Sequence, residues 1–434
     1  MNYHAYSNWY MGQTWGLTNW YQKEGHKTLP LFGIQKHVAT DLRLTKQSLV
    51  SSLVLGGEYL TQLQQQLLTT LLTQQGALLF TDYFTQLKSN SIVNLVSKEV
   101  SLSKQITETF QVCHKTELWL MLADLCYWHG AFILGYSIRQ RAKQCVDAIE
   151  INQKTTLSDC LNVLLWSYEN GSQLKQSAAM ACLRSNHGEQ TVLIQQHESF
   201  QALLVGDLAT FRANWPVIKR TTQHDAFKQQ RIRIKGPATR ADAEQVCNDV
   251  DWTLSFNVQP GTHNQYANGK LASLYNAHDW RRLAALGLKN KVINELDLCM
   301  LRRDVPELAQ FDTMHLCQPT NGLLMQKSLN AAPAALFECI LLGADVIQFE
   351  GIDFFTTAQM HRTDYREQPG QLSPFLNKIR PVIINHDVFS QRYMCQKLQQ
   401  FGVLALDKAG STALALSDYD YAKKLSENCQ GVKG

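Results

Sequence analysis

The sequence predicts an α/β protein: a Rossmann-like parallel sheet with helices on both faces, preceded by a mostly helical N-terminal part. Three observations support this. Beyond about residue 225, short apolar runs alternate with helical stretches, which is typical of a parallel sheet with crossover helices. Proline is absent from Val38 to Asn214, where leucines recur three and four residues apart. Finally, the apolar run Val346–Phe349 stops at Glu350-Gly351 and opens into polar residues.

The change of pattern near residues 200–225 divides the 434-residue chain into three parts. Residues 1–37 have no clear period and are unassigned. Residues 38–220 are predicted to form a mostly helical domain, and residues 225–434 are predicted to form an α/β domain. The helical domain contains four segments with helical periodicity, the last of them broken at Trp215-Pro216: Tyr59–Leu72, Ser101–Val112, Leu157–Tyr168 and Ser199–Arg220.

The α/β part contains six strand-like runs: Arg231–Ile234, Trp252–Phe256, Lys291–Ile293, Met314–Leu316, Val346–Phe349 and Pro381–Ile384. An Ala- and Leu-rich helix at Asn330–Leu342 precedes the fifth run, and Gly343 stands where a C-cap glycine belongs. Two further helices are expected at Ser390–Phe401 and at Ala415–Leu425, the second capped by Ser417.

The composition is that of an ordinary globular protein, with 45% hydrophobic and 18% charged residues. A net charge of +4 is compatible with an anionic small ligand but too weak to indicate nucleic-acid binding. Eleven scattered cysteines without a Cys-x-x-Cys pair indicate buried thiols in a reducing compartment. No signal peptide is expected. Because Asp124 and His129 interrupt the apolar window Trp119–Tyr136, we expect a buried helix or helix pair there.

The strongest candidate site follows the run Val346–Phe349. Open α/β sheets bind ligands where strands end at their carboxyl edge, so Gly351, Ile352 and Asp353 are candidate binding residues. The polar stretch that follows adds His361, Arg362, Asp364 and Tyr365 to this strand end.

Two other strand ends add candidates. Arg231–Ile234 is followed by Lys235, Gly236, Pro237 and Ala238, where a glycine could let a phosphate or ribose approach the backbone; an ordinary Gly-Pro turn is the alternative. Asn257 ends the next run and could bind a ribose or base, although asparagine also commonly ends strands.

The turn Thr320, Asn321 and Gly322 could bind nucleotide or simply cap a helix. His386 follows the run Pro381–Ile384 and could be a general base, although a structural role at a helix start is the local alternative. The pair Asp249 and Asp251 has the spacing of a divalent-cation site, but it precedes its strand, which favours plain surface residues.

Taken together, these motifs resemble the sialyltransferase-like glycosyltransferases that use CMP-activated sugars, over roughly residues 228–425. Lys235–Ala238 resembles the family's Gly-Asn-Gly-Pro-Ser loop, Asn257 its nucleotide-contacting asparagine, and Thr320–Gly322 its Thr/Ser-Gly turn. Residues 351–355 match its Gly-Ile-Asp-Phe-Tyr, with Phe355 in place of the tyrosine. His386 stands where the family has its catalytic histidine.

The resemblance implies the sialyltransferase-type, GT-A-like variant of the fold and a metal-independent inverting transfer with His386 as general base. The donor would be CMP-linked sialic acid, another nonulosonic acid or Kdo, and the acceptor a glycan or glycolipid hydroxyl. Because Phe355 has no hydroxyl, His361, Arg362 or Tyr365 would bind the donor phosphate in place of the family's tyrosine. The implied location is the cytoplasm, with peripheral membrane association left open.

Three other functions stay open at this point. A retaining Kdo transferase would use a carboxylate nucleophile. A pterin diphosphokinase-like enzyme would require ATP and Mg²⁺. A non-catalytic scaffold would bind nucleotide without turning it over.

Overall fold

The computed structural model describes residues 49, 57–88, 95–113, 115–189, 191–216, 226–236, 250–258, 269–276, 279–280, 283, 286–302, 314–318, 320, 323, 329–357, 379, 382–383 and 386–431, and the account below is confined to them. Two groups of elements follow each other along the chain. Helices alone occupy the described residues before residue 216, and all seven strands come after it.

Nine helices form the N-terminal group: α1 (Gly57–Leu71), α2 (Gln74–Lys88), α3 (Leu95–Thr107), α4 (Thr116–Trp128), α5 (Phe132–Asp147), α6 (Leu157–Asn170), α7 (Gln173–Asn186), α8 (Thr191–Leu204) and α9 (Leu208–Asn214). The helical prediction is confirmed for these segments, with two differences. The predicted segment Ser199–Arg220 is divided between α8 and α9 at Gly206, whose φ is 79°, and α9 ends at Asn214, just before the predicted break at Trp215-Pro216. Helix α3 ends at Thr107 instead of Val112, because Thr109 N–H returns to Ile106 O at 2.9 Å and Phe110 forms a bridge with Leu72.

The apolar window Trp119–Tyr136 is a helix pair. Helix α4 ends at Trp128, and α5 begins at Phe132 after a turn at Gly130, whose φ is 83°. Asp124 lies buried inside α4. Among the described residues, none of the helices combines the length and the apolar character needed to cross a bilayer.

Seven strands form one all-parallel sheet: β1 (Ile232–Lys235), β2 (Trp252–Phe256), β3 (Lys270–Tyr275), β4 (Leu298–Leu301), β5 (Met314–Leu316), β6 (Ile347–Glu350) and β7 (Leu404–Leu406). Their order is β5-β4-β3-β2-β1-β6-β7. The Rossmann-like α/β class predicted from the sequence is therefore observed. Because the chain adds strands outward from β1 to β5 and then returns to the other side of β1, the topological switch point lies between β1 and β6.

Five helices whose full length lies within the described residues accompany the strands: α10 (Lys289–Glu295), α11 (Ala331–Leu341), α12 (Val388–Gln400), α13 (Lys408–Ala415) and α14 (Asp418–Gly431). Helix α11 is followed by Gly343 at a φ of 104°, as predicted. The Ser417 hydroxyl accepts from Asp420 N–H at 3.0 Å, so it caps α14 as expected, whereas Ala415 belongs to α13.

Two strand predictions are wrong. Lys291–Ile293 lies inside helix α10, and Val382 and Ile383 of the run Pro381–Ile384 are helical, with His386 N–H donating to Val382 O at 2.8 Å. Both runs contain β-branched residues, which favour strands only where the surroundings bury them on a sheet. Strands β3, β4 and β7 were not predicted.

One hydrophobic core joins the helical group to the sheet. Inward side chains of β1, β2 and β6 belong to the same buried cluster as the helices that precede residue 216. The last helix α14 packs against α3 and α5, and α12 packs against α8. The helical half is thus continuous with the sheet, and it reaches the elements that follow β6.

The cysteines differ in part from the prediction. Eight described cysteines are free and all but Cys113 of these are buried, but Cys160 and Cys182 are joined as a disulfide between α6 and α7.

Candidate active site

Two glycines meet at the switch point. Gly236 follows β1 and Gly351 follows β6, and Gly236 N–H donates to Glu350 O at 2.6 Å. A Cβ atom added at Gly236 would lie 2.3 Å from Gly351 O, and Gly351 itself has a φ of 65°. Such close approach of two backbones admits only glycine at residue 236. The sequence-predicted glycines therefore lie side by side at the carboxyl edge of the sheet.

The turn after β6 holds two strained residues. Phe354 and Phe355 have φ values of 50° and 65°, which residues other than glycine rarely adopt. The carboxylate of Asp353 accepts from Phe355 N–H at 3.0 Å and from Thr357 N–H at 3.1 Å, and it also accepts from the Thr357 hydroxyl. Asp353 therefore shapes this turn with its own side chain.

Helix α14 braces the same turn from outside. The Tyr421 hydroxyl donates to Phe354 O at 2.7 Å, and the Asn428 amide donates to Phe355 O at 3.0 Å. Left-handed conformations of this kind cost about 1–3 kcal/mol each and persist where surrounding contacts fix them, often beside a ligand site. Asp407, after β7, adds a carboxylate at this edge and accepts from Gly351 N–H at 2.7 Å.

The sheet carries a buried ion pair just below the switch point. The Arg233 guanidinium lies 3.5 Å from the Glu350 carboxylate and donates to the Thr253 hydroxyl at 3.1 Å. Lys235 and Glu350 are direct neighbours in the β1–β6 register. Charges of both signs therefore lie within one or two residues of the two glycines, and they belong to adjacent strands.

Asn257 ends β2 at the same edge of the sheet. It has a φ of 51°, and its side-chain oxygen accepts from Asn276 N–H at 3.4 Å, at the end of β3. Asn276 in turn donates to Asp279 at 2.7 Å. The predicted binding asparagine therefore takes part in a row of polar side chains along the carboxyl edge.

The predicted turn at Thr320–Gly322 does not cap the Ala-rich helix. Helix α11 begins at Ala331, and its N-cap is Asn330, whose side-chain oxygen accepts from Ala331 N–H at 2.8 Å. Thr320 is buried, and its hydroxyl accepts from Leu329 N–H at 3.4 Å. Asn330 N–H donates to the Gln391 side chain of α12 at 2.7 Å, so the amino ends of α11 and α12 are in contact.

His386 is half-buried and immediately precedes Asp387, the N-cap of α12. It lines a cavity of about 20 Å³ between α12 and the helical half, together with Asp124 and Tyr127 of α4 and Arg139 of α5. The cavity is too small for a sugar. Phe389, three residues after His386, has its ring 5.6 Å from that of Tyr421, whose hydroxyl bonds to the strained turn.

Seven predicted site residues lie outside the described residues: Pro237, Ala238, Asn321, Gly322, His361, Arg362 and Tyr365. The described ones are divided between two regions. Lys235, Gly236, Asn257, Gly351, Ile352 and Asp353 line the carboxyl edge of β1, β2 and β6. His386 lies at the start of α12, and Thr320 follows β5.

One group of potential metal ligands was not foreseen. His315 and Cys317, on or just after β5, and Glu338 on α11 are all buried, with ligand atoms within 4.8 Å of one another. The Glu338 oxygens interact with His315 Nε2 at 2.6 Å and accept from Gln318 N–H at 2.8 Å. Burial, reinforced by Glu338, raises the pKa of the Cys317 thiol well above its usual value. Since protein groups already satisfy this carboxylate, we interpret the group as a buried tie between α11 and β5.

The other metal candidate is Asp251, at the amino end of β2 and therefore at the opposite edge of the sheet. Its carboxylate accepts from Arg231 N–H at 2.6 Å, which ties it to the start of β1. Its companion Asp249 lies outside the described residues.

Neither a protein-family model, nor a curated protein, nor a solved structure matches the chain.

Proposed function

We propose that the chain is a glycosyltransferase that moves a 2-keto acid sugar from a CMP-activated donor to a hydroxyl of a glycan acceptor. The observation that carries this proposal is the contact of Gly236 with Gly351 at the switch point of a parallel sheet. This is where open α/β sheets bind nucleotides, and both glycines belong to the motifs that resemble the sialyltransferase-like family.

The donor nucleotide would lie over the carboxyl ends of β1, β2 and β6. Lys235 and Asn257 stand at two of these ends. The N–H groups of Gly236 and Gly351 are already bonded to Glu350 O and Asp407. Nucleotide contacts in this crevice therefore fall to side chains and to the loops that follow the strands.

The reaction is a displacement at the anomeric carbon of the donor. His386 takes the proton of the acceptor hydroxyl, the acceptor oxygen forms a bond to the anomeric carbon, and the bond from this carbon to the phosphate oxygen breaks as CMP leaves. His386 is half-buried at the start of α12, and this helix contacts the support of the β6 turn through Phe389 and Tyr421. In this proposal the acceptor hydroxyl comes within hydrogen-bond reach of His386 when the acceptor binds.

The experiment is a transfer assay with CMP-linked sialic acid and CMP-linked Kdo, which measures CMP release and the anomeric configuration of the product. We expect inversion and activity that persists in EDTA. CMP at one hundred times its Kd should stabilise the ligand-free fold by about 2.7 kcal/mol. UDP, ADP or ATP at the same concentration should stabilise it less. A strict Mg²⁺ requirement with ATP, or CMP binding without turnover of any donor, would contradict the proposal.

His386→Ala tests the base. We expect transfer to fall by about 10²–10⁴-fold while CMP binding stays within about twofold, because the base touches the acceptor and not the nucleotide. His386→Asn should behave alike, and the wild-type pH profile of kcat/KM should rise through a pKa of about 6–7. His187→Ala is the control, since this half-buried histidine lies in the helical half beside Thr155. Near-normal transfer by His386→Ala would eliminate it as the base.

A further inference from the structure

A buried charge network joins the helical half to the start of α12. Arg139 on α5 donates to both carboxylate oxygens of Glu169 on α6, at 2.9 and 3.1 Å, and to Asp387 at 3.0 Å. Its guanidinium lies 4.6 Å from the Trp166 ring centroid and 5.2 Å from that of Phe389. The guanidinium is therefore held by two aromatic rings and two carboxylates.

The network is closed by Ser390, the third residue beyond Asp387. Its hydroxyl accepts from Arg139 at 3.2 Å and donates to Glu169. Burial raises the pKa of Glu169, although Arg139 opposes this. Burial would lower the pKa of Arg139, but the carboxylates of Asp387 and Glu169 outweigh burial and raise it. Ions this deeply buried are tolerated only when they are fully paired, so each member depends on the others.

Asp387 is held by hydrogen bonds to both its side chain and its backbone. One carboxylate oxygen accepts from Phe389 and Ser390 N–H at 3.0 and 3.1 Å and caps α12, while the other accepts from Arg139. The Gln391 amide donates to its backbone carbonyl at 2.9 Å. Arg139 and the first turn of α12 therefore both restrain the residue adjacent to His386.

We infer that Arg139 is a positioning residue: the helical half uses it to hold Asp387, and through Asp387 the backbone that presents His386. The inference rests on the proposed role of His386 as base. A displacement of about 1 Å at a catalytic group can cost about 10²-fold in rate, so a fixed anchor has a catalytic consequence. The charged and titratable groups around the His386 cavity are Asp124, Tyr127, Arg139 and Asp387, with Glu169 behind Arg139.

Two substitutions separate position from charge. Arg139→Lys keeps the cation but cannot bridge two carboxylates with a planar fork. We expect it to lower kcat by about tenfold or more, with the donor KM and the CMP Kd within about twofold. Arg139→Met removes the cation as well. Because Asp387 then lacks its counter-charge, the pKa of His386 should rise by about half a unit or more, measured by NMR of ¹³C-labelled histidine with His386→Asn for assignment.

Arg184→Met is the matched control, because Arg184 makes an exposed ion pair with Glu198 in the same half. It should leave kcat and the His386 titration unchanged. A wild-type kcat in Arg139→Lys would overturn the positioning role. This measurement tests the proposal by itself if Arg139→Met does not fold. If the wild-type protein transfers no sugar at all, the proposed function fails. An unchanged His386 titration in Arg139→Met would then independently overturn the link between Arg139 and His386.

Discussion

The replacement Glu99→Gln should remove the contribution of this one carboxyl to the pH dependence of stability between pH 5 and 8. Glu99 lies on α3 and is fully buried. One of its oxygens accepts from Leu134 N–H at 2.8 Å, in the first turn of α5, and Phe132 N–H of the same turn donates to the Ser426 hydroxyl of α14 at 3.1 Å. Burial raises the pKa of Glu99 from 4.5 to about 7. This carboxyl thus lies where three helices of the shared core meet.

The sign follows from linkage. A carboxyl whose pKa is raised by folding stabilises the folded state below the unfolded value, and this stability is lost as the pH rises through the folded value. The pKa of Glu99 is 4.5 in the unfolded chain and about 7 in the folded protein. Its ionisation therefore lowers the free energy of unfolding by about 1 kcal/mol at pH 5 and by about 3 kcal/mol at pH 8. Glutamine mimics the protonated carboxyl and can still accept from Leu134 N–H.

The assay is urea unfolding at pH 5 and pH 8, followed by tryptophan fluorescence. We expect Glu99→Gln to exceed the wild type in unfolding free energy by about 2 kcal/mol more at pH 8 than at pH 5. Glu108→Gln controls for the loss of an exposed carboxylate from the same half. An equal difference between Glu99→Gln and the wild type at both pH values would refute the argument.

Two further predictions concern the switch point and the shared core. Gly236→Ala places a Cβ atom 2.3 Å from Gly351 O, so we expect a stability loss of about 1–3 kcal/mol and at least tenfold weaker CMP binding, measured by calorimetry. Gly188→Ala is the control, because its added Cβ atom would lie 3.0 Å from its nearest neighbour, Arg184 O. Unaltered CMP binding in Gly236→Ala would contradict a CMP site between β1 and β6. The isolated fragment 225–434 should lack a cooperative thermal transition, because Tyr421 and Leu425 of α14 belong to the core shared with the helical half. A folded fragment with the CMP affinity of the full chain would contradict this.

The sequence predicted the sheet best where strands are completely buried. Trp252–Phe256 was located to the residue, since a short apolar run bounded by polar stretches is typical of a strand buried on both faces. Strand β4, Leu298–Leu301, is just as buried but was missed, because four apolar residues directly after a helix can equally belong to that helix. The strand predicted at Lys291–Ile293 was wrong because these residues are helical and only Val292 of α10 is buried, in a cluster with side chains of β3, β4 and β5.

Site residues could be predicted from the sequence only where the neighbouring residues carry the signal. Gly236 and Gly351 were found because a glycine after an apolar run indicates a turn wherever it occurs. The bracing of Phe354 and Phe355 by Tyr421 and Asn428 has no such signal, because the partners are 67 and 73 residues apart.

The contacts of the helical half are even harder to predict from the sequence, and one of them indicates what this half does for the α/β part. Arg139 and Asp387 are 248 residues apart, and neither sequence neighbourhood marks a partner. A buried ion pair of this kind contributes little net stability over an apolar contact. Net stability therefore does not explain this ion pair. The position of Asp387 beside His386 offers another reason, because a planar guanidinium fixes the direction of its partner carboxylate as well as the distance. On this argument the described helices before the sheet do more than enlarge the core, because they carry the group that orients the start of α12.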